Sequence, residues 1–334
     1  MENFNSNTRT AVYADLRSDF MFKKAFAQKD IMIPFLNGIL GADTIVDIDY
    51  RNVEQLGFDA EDAKVYYDIY CHCSDGKDFI VEMQRRSQKY YRERMVFYST
   101  YPIQNQYEEA KRRHTEAFSL NHGGPFLFNY RLHPVYIISI TDFKLDHASD
   151  WPEDKFVSSY NIREVSNGEP YCNTLNYIFI ELPRFRKALE QKSDVAEKWA
   201  FVFNNIAQLN AIPNELSENC FQRLFESAKI ANFTPDERVN YLENQKMRFD
   251  YENVMEYAKE QARDEGLAEG RAKGLAEGRA KGLAEGRTEG RTEGLAEGEA
   301  KAKRETAKKL LTLGDSVEKI SIATGLSQEE IQAL

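Results

Sequence analysis

Hydrophobic positions along the first 261 residues follow two periods, one helical and one of two residues. In SDFMFKKAFAQKDIMIPFLNGIL (18–40), Phe22, Ala25 and Phe26 recur at helical spacing. One or two helices are predicted there, interrupted near Pro34, with Ser18 or Asp19 as N-cap. TIVDIDYRNVE (44–54) predicts a strand, and KVYYDIYCHCSDGKDFIVEMQ (64–84) predicts a β-hairpin around Asp75-Gly76. Residues 87–118 are expected to be helical. HPVYIISIT (133–141) predicts a buried strand, and YNIRE (160–164) and NTLNYIFIEL (173–182) two more. From Ser193 to about Gln261 the pattern is helical, with capping signals at Ser193 and Thr234. This order predicts an α/β body over 1–190 and a helical extension over 191–261.

The tail has a different grammar. Every aromatic residue lies at or before Tyr257. Glycine then recurs every fourth residue from Gly266 to Gly298, nine in all. The intervening Ala, Leu, Glu, Arg and Lys favour helix, but nine interior glycines remove roughly 9 kcal/mol of that preference. Four residues advance a helix by ~400°, so the glycine row drifts around the axis instead of forming one straight seam. Residues 262–303 are therefore expected to be a marginal helix or a spacer. In 304–334, Gly314 and Gly325 divide three short helices, and Ser327-x-x-Glu330 forms a capping box. This small helical cap is weakly similar to a helix-turn-helix, but its last helix carries no basic residue to meet a phosphate.

Register decides the chemistry of the hairpin. A two-residue Asp75-Gly76 turn would set Ile69 against Glu82 and Tyr67 against Gln84, burying polar groups on an apolar face. A three-residue loop, Ser74-Asp75-Gly76 with Gly76 left-handed, pairs Cys71 with Phe79, Ile69 with Val81 and Tyr67 with Met83. The other face then holds Tyr70/Ile80, Tyr66/Gln84 and two carboxylates, Asp68 and Glu82, directly opposite. Cross-strand Cβ atoms lie about 4.5–5.5 Å apart, where like charges repel. Either both carboxylates decorate a solvated face, or a cation compensates them. Oxygen ligands suit a hard divalent ion: Mg2+ first, with Mn2+ or Ca2+ as alternatives.

Charge sharpens this picture. The chain of 334 residues has a net charge of −10, which argues against diffuse nucleic-acid binding. Against that background RRSQKYYRER is out of character, with Arg85, Arg86, Lys89, Arg92 and Arg94 against the single acid Glu93. It is either a solvated helix face or a contact for a nucleic-acid backbone, with Tyr90 and Tyr91 available for stacking. Four irregularly spaced cysteines exclude a disulfide framework. The polar start MENFNSNTRT and the lack of a long apolar run lead us to expect a cytoplasmic protein with no membrane partner.

An Asp, then about fourteen residues, then Glu-x-(Lys or a substitute) on a hairpin flanked by helices resembles the PD-(D/E)XK nuclease fold. SDFMFKKAF, DIYCHCSDGKDFIVEMQ, RERMVFYS, HPVYIISI and NYIFIELPRF followed by KWAFVF are similar, over about 15 to 260, to one branch of it. That branch is the Rpn recombination-promoting nucleases, also called PD-(D/E)XK-family transposases. The resemblance implies a restriction-endonuclease-like core with a mixed sheet, and a metal-dependent endodeoxyribonuclease that acts in DNA recombination or transfer. It implies Asp68 and Glu82 as metal ligands, completed by the main-chain carbonyl of Met83. Gln84 stands where the fold's lysine would orient water. A neutral amide can hydrogen-bond that water but brings no charge. A further acid is expected from the first helix, with Asp19 as candidate (otherwise an N-cap) and Glu54 as runner-up. Arg94 and Tyr98, spaced i,i+4, would share a helix face beside the site. DNA is the expected partner and a homodimer the expected assembly, by analogy with other nucleases. A catalytically degenerate module binding DNA or protein, and an assembly protein driven by the glycine tail, are the other readings.

Overall fold

The computed structural model describes residues 11–42, 44–55, 65–121 and 126–334; the polar start, 1–10, lies outside them. Two units are distinguished, 1–249 and 250–334.

The first unit opens with α1 (Asp19–Phe26) and α2 (Lys29–Leu40). The Ser18 side chain accepts from the Met21 amide, so Ser18 is the N-cap and Asp19 is the first helical residue. Pro34 lies inside α2 without breaking it, and the break between the helices falls earlier, at Ala27-Gln28. Next come β1 (Ile48–Tyr50), β2 (Glu54–Gln55), β3 (Val65–Tyr66), β4 (Ile69–Cys73), β5 (Asp78–Gln84) and α3 (Tyr91–Asn121). β6 (Val135–Thr141), β7 (Val157–Asn161) and β8 (Leu175–Glu181) complete the strands. α4 (Val195–Asn205) and α5 (Asn219–Ala228) precede α6 (Pro235–Thr312).

Six strands form one mixed sheet in the order β1-β4-β5-β6-β8-β7. The centre, β5-β6-β8, is parallel, and β1, β4 and β7 add antiparallel edges. This is a mixed α/β architecture consistent with a PD-(D/E)XK core. Alternation along the strands sorts two cores. Ile69, Cys71, Phe79, Val81, Ile138 and Ile180 face the layer of α1, α2, α4 and α5. Tyr70, Ile80, Ile137 and Phe179 face Tyr91 and Met95 of α3. The first layer is dense with rings. Phe26, fully buried, meets Phe22, Phe35, Trp199 and Phe203 at centroid distances of 4.8–5.9 Å.

The hairpin pairs in the expected register: Ile69 with Val81, Tyr70 with Ile80, Cys71 with Phe79. Its loop is Ser74-Asp75-Gly76, closed by the Cys73 amide donating to Lys77 O at 2.8 Å. Gly76 sits at φ +90°, and a Cβ there would lie 2.3 Å from His133 Nδ1. Gly76→Ala is expected to cost about 1–2 kcal/mol from the left-handed backbone alone. Urea unfolding would read this as a lower midpoint, and an unchanged midpoint would contradict the turn assignment.

Several boundaries differ from expectation. The strand expected at YNIRE is displaced to Val157–Asn161, because pairing with β8 runs from Val157/Ile180 to Asn161/Asn176. The α4 cap is Asp194, not Ser193, since Asp194 makes the reciprocal capping box with Glu197. Thr234 does cap α6, its hydroxyl accepting from Glu237 N at 3.2 Å.

In the second unit α6 continues as helix through all nine glycines of the repeat, and its side chains there are exposed. No repeat glycine has a neighbour within 4 Å of where a Cβ would stand. Local ion pairs such as Lys273–Glu269 at 2.6 Å run along it. The first of the three expected short helices is thus the end of α6. α7 (Val317–Thr324) and α8 (Gln328–Gln332) follow, divided by left-handed Gly325 and capped by Ser327 with Glu330. Ala307, Ile320, Leu326 and Ile331 make a small core of their own. No helix among the described residues is long and apolar enough to cross a membrane.

Candidate active site

The acid pair lies at the carboxyl end of the parallel strands. Asp68 precedes the first residue of β4 and stands opposite Glu82 of β5. Two hydrogen bonds lock them together. The Asp68 amide donates to Glu82 Oε1 at 3.1 Å, and the Met83 amide donates to Asp68 Oδ2 at 2.8 Å. The N–H and C=O of one strand residue point to the same edge. The Met83 carbonyl is therefore directed to the side on which Asp68 lies.

Glu82 is buried, with 3% of its surface exposed. Burial first, and then the facing Asp68 carboxylate, push the Glu82 carboxyl up to about 8. Burial also raises Asp68, opposed by the Met83 amide and the Lys23 ammonium. Two carboxylates held in this way demand either a shared proton or a cation. Among the described residues no group of three or more His, Cys, Asp or Glu side chains converges as a closed cage. Two carboxylates and a carbonyl are nevertheless a donor set that fits Mg2+, which binds through one or two carboxylates and keeps several waters.

Cations flank the pair from both layers of the fold. From α3, Arg94 Nη2 lies 3.6 Å from Glu82 Oε2 and 3.5 Å from Gln84 Oε1. Its guanidinium is held between the rings of Tyr91 and Tyr98, at 5.7 and 5.0 Å. From α1, Lys23 Nζ lies 2.7 Å from Asp19 and 3.6 Å from Asp68. Asp19 thus reaches the site through a lysine. Gln84 lies at the rim, its Nε2 donating to Arg86 O at 3.0 Å. Asp68, Glu82, Met83, Gln84, Asp19, Arg94 and Tyr98 are therefore brought together.

Other candidates go elsewhere. Glu54 sits on β2, which among the described residues pairs with β3 in a separate two-stranded sheet, and accepts from Tyr66 Oη at 3.4 Å. It lines a cavity of about 700 Å3 with Tyr70, His72, Asp78 and Gln106, whose walls include neither Asp68 nor Glu82. Arg85 turns into an ion cluster, 3.2 Å from buried Asp15 and 3.8 Å from Asp142. Arg17 and Arg248 also meet Asp15 there, at 3.0 and 3.6 Å. Arg85 therefore leaves the basic face that the sequence suggested, because a buried Asp15 claims it. Arg92 donates to Asp146 O at 2.7 Å. Lys89 lies over the exposed Tyr90 ring at 4.9 Å. Tyr90 holds φ at +61°, an uncommon backbone for a bulky residue and the pivot that starts α3. Arg86 offers its carbonyl to Gln84 and is half-buried.

The residue that sequence reasoning missed is Lys23. Its i,i+4 spacing from Asp19 marks an ordinary surface pair, and no local signal shows that Asp68 lies beside it.

Residues 16–258 match the family model described as PD-(D/E)XK nuclease family transposase. No curated protein and no solved structure matches the chain.

Proposed function

The chain belongs to the PD-(D/E)XK nuclease family transposases, and from that premise we propose a metal-dependent endonuclease that hydrolyses DNA phosphodiesters. The observation that carries this reading is the pairing of buried Glu82 with half-buried Asp68, two carboxylates fixed by main-chain amides that repel unless a proton or a cation joins them. Asp68, Glu82 and the Met83 carbonyl would hold a divalent ion, Mg2+ before Mn2+ or Ca2+. When bound, such an ion lowers the pKa of water and stabilises charge on a transferring phosphoryl group.

The protein's own groups do the rest. Arg94, stiffened between two tyrosine rings, faces the acid pair and is placed to meet a phosphate oxygen. Lys89 and Arg92, together with Arg86, provide charge along the start of α3, where a DNA backbone would run. Gln84 can accept from or donate to the attacking water once its amide leaves the Arg86 carbonyl. A role in recombination or DNA transfer is proposed from the family alone.

One observation favours a second reading. The Gln84 amide is occupied at both ends, by Arg86 O and by Arg94. A fold that has lost its lysine and tied up the substitute would bind DNA without cutting it. Supercoiled plasmid incubated with the full chain over a titration of Mg2+, Mn2+ or Ca2+ separates the two. The nuclease reading expects nicked or linear product that requires Mg2+ or Mn2+ and disappears with chelator. Retained DNA binding with no product in any metal would support the binding module instead.

A further inference from the structure

Gln84 brings no charge to the acid pair, and α1 brings a cation to the same place. Lys23 lies one turn after Asp19 on α1, so the two side chains share a face. An ordinary surface pair of this kind contributes little and faces solvent. This one differs in where it points. The Lys23 ammonium, 2.7 Å from Asp19 Oδ1, also lies 3.6 Å from Asp68 Oδ1. At 3.6 Å its hold on Asp68 is looser than the 2.7 Å pair with Asp19.

The neighbouring cations have other work. Lys24, the next residue, pairs with Glu237 at 2.7 Å and lies over the Phe233 ring at 4.3 Å. Arg85 belongs to the Asp15 cluster. Arg94 already stands beside Glu82 and Gln84, from α3. Lys23 is about half exposed, so a bound strand can reach it. An ammonium carries three donors. One stays on Asp19, which leaves two for a ligand at the acid pair.

We infer that Lys23 supplies, from α1, the cationic contact to the scissile phosphate that Gln84 cannot make, with Asp19 holding its ammonium in position. This inference rests on the nuclease reading. Asp19 thereby serves as a positioning residue. The chemical requirement, a positive charge beside two metal-holding carboxylates, is met from a helix in the other layer instead of from the strand.

The test compares wild type with Lys23→Met, Lys23→Gln and the double variant Lys23→Met/Gln84→Lys. Met keeps the aliphatic stem, and Gln keeps a polar end in case Met perturbs folding. Three readouts are taken on the full chain: thermal melting, Mn2+ affinity by calorimetry without DNA, and plasmid cleavage. Both single variants are expected to melt near wild type. They should lose about a hundredfold in cleavage, the loss typical of removing one preorganised charge-stabilising donor. Their Mn2+ affinity should hold or tighten, because a cation that repels the metal has gone. The double variant should recover most of the cleavage, since Gln84→Lys returns the charge from the strand side.

Wild-type cleavage rates in both single variants would overturn the inference and leave the nuclease reading standing. So would Mn2+ affinity falling in step with cleavage, which would make Lys23 a support for Asp68 and not a phosphate contact. Failure of the double variant to recover any rate would also overturn it. A wild-type chain that does not cut in any metal would overturn the nuclease reading, and the inference with it.

Discussion

Asp68→Ala and Glu82→Ala are each expected to reduce Mg2+-dependent plasmid cleavage by about a thousandfold, since on the proposed reading each would remove charge that holds a metal ion needed for both nucleophile and electrostatic stabilisation. The two carboxylates act as one unit. Each accepts an amide from the other's strand, so loss of either would remove a proposed metal ligand and leave unpaired the amide that had fixed the lost carboxylate. The double variant should therefore be little worse than the worse single one, the non-additivity of groups that work together. Folding should survive the Asp68 change, because the residue precedes β4 and the ladder begins at Ile69. Equal cleavage by wild type and both variants would place the activity elsewhere. Glu54 offers a control: it lines a different cavity, and Glu54→Gln should leave the rate unchanged.

The second large effect is on stability and needs no DNA. Glu82 is buried against Asp68, and its carboxyl is pushed from 4.5 up to about 8. Between the unfolded and folded values, the folded, metal-free protein holds a proton that the unfolded chain has already released. A raised folded-state value means that the stability is fully present below the unfolded value and is lost as pH rises through the folded one. Metal-free wild type should therefore lose stability between about pH 4.5 and 8, by up to about 1.4 kcal/mol per pH unit for one such group. Glu82→Gln removes the titration, so the variant should gain on wild type as pH rises, although it cannot cut. Melting curves in chelator at pH 5 and pH 8 read this directly. A difference that is the same at both values would contradict it. A metal bound by Glu82 would have to displace the same proton, so on the proposed reading Mn2+ affinity is expected to rise with pH over this window.

Much of the site was legible because β-structure has a strict two-residue period. Only one hairpin register kept Cys71, Ile69 and Tyr67 on an apolar face, and that register put Asp68 opposite Glu82. Gly76 gave the loop length, through the one backbone conformation a glycine supplies freely. Helix caps were legible to within a residue: Ser18, Thr234 and Ser327 cap as expected, and Asp194 takes the place of its neighbour Ser193.

What was hidden depends on contacts between distant segments. The basic run 85–94 has one composition but several fates. Arg85 is drawn to Asp15, seventy positions earlier, while Arg94 is turned by α3 toward Glu82. Nothing local distinguishes them. Lys23 was invisible for the same reason, since its partner Asp68 belongs to another element. The sheet order, with β8 inserted between β6 and β7, is likewise set by packing and not by any one strand's pattern. The glycine repeat shows the reverse case. Its propensity cost was plain, yet the helix runs through all nine glycines, carried by the Ala, Leu, Glu, Arg and Lys between them.

The central claim is that Asp68 and Glu82 jointly hold a divalent ion, and anomalous diffraction from crystals of the full chain grown with Mn2+ tests it most directly. The expected result is a manganese peak bound by a carboxylate oxygen of Asp68, one of Glu82 and the main-chain oxygen of Met83, with Lys23 still on Asp19. Crystals that carry manganese elsewhere, with the Asp68/Glu82 pair metal-free and its mutual hydrogen bonds unchanged, would contradict it.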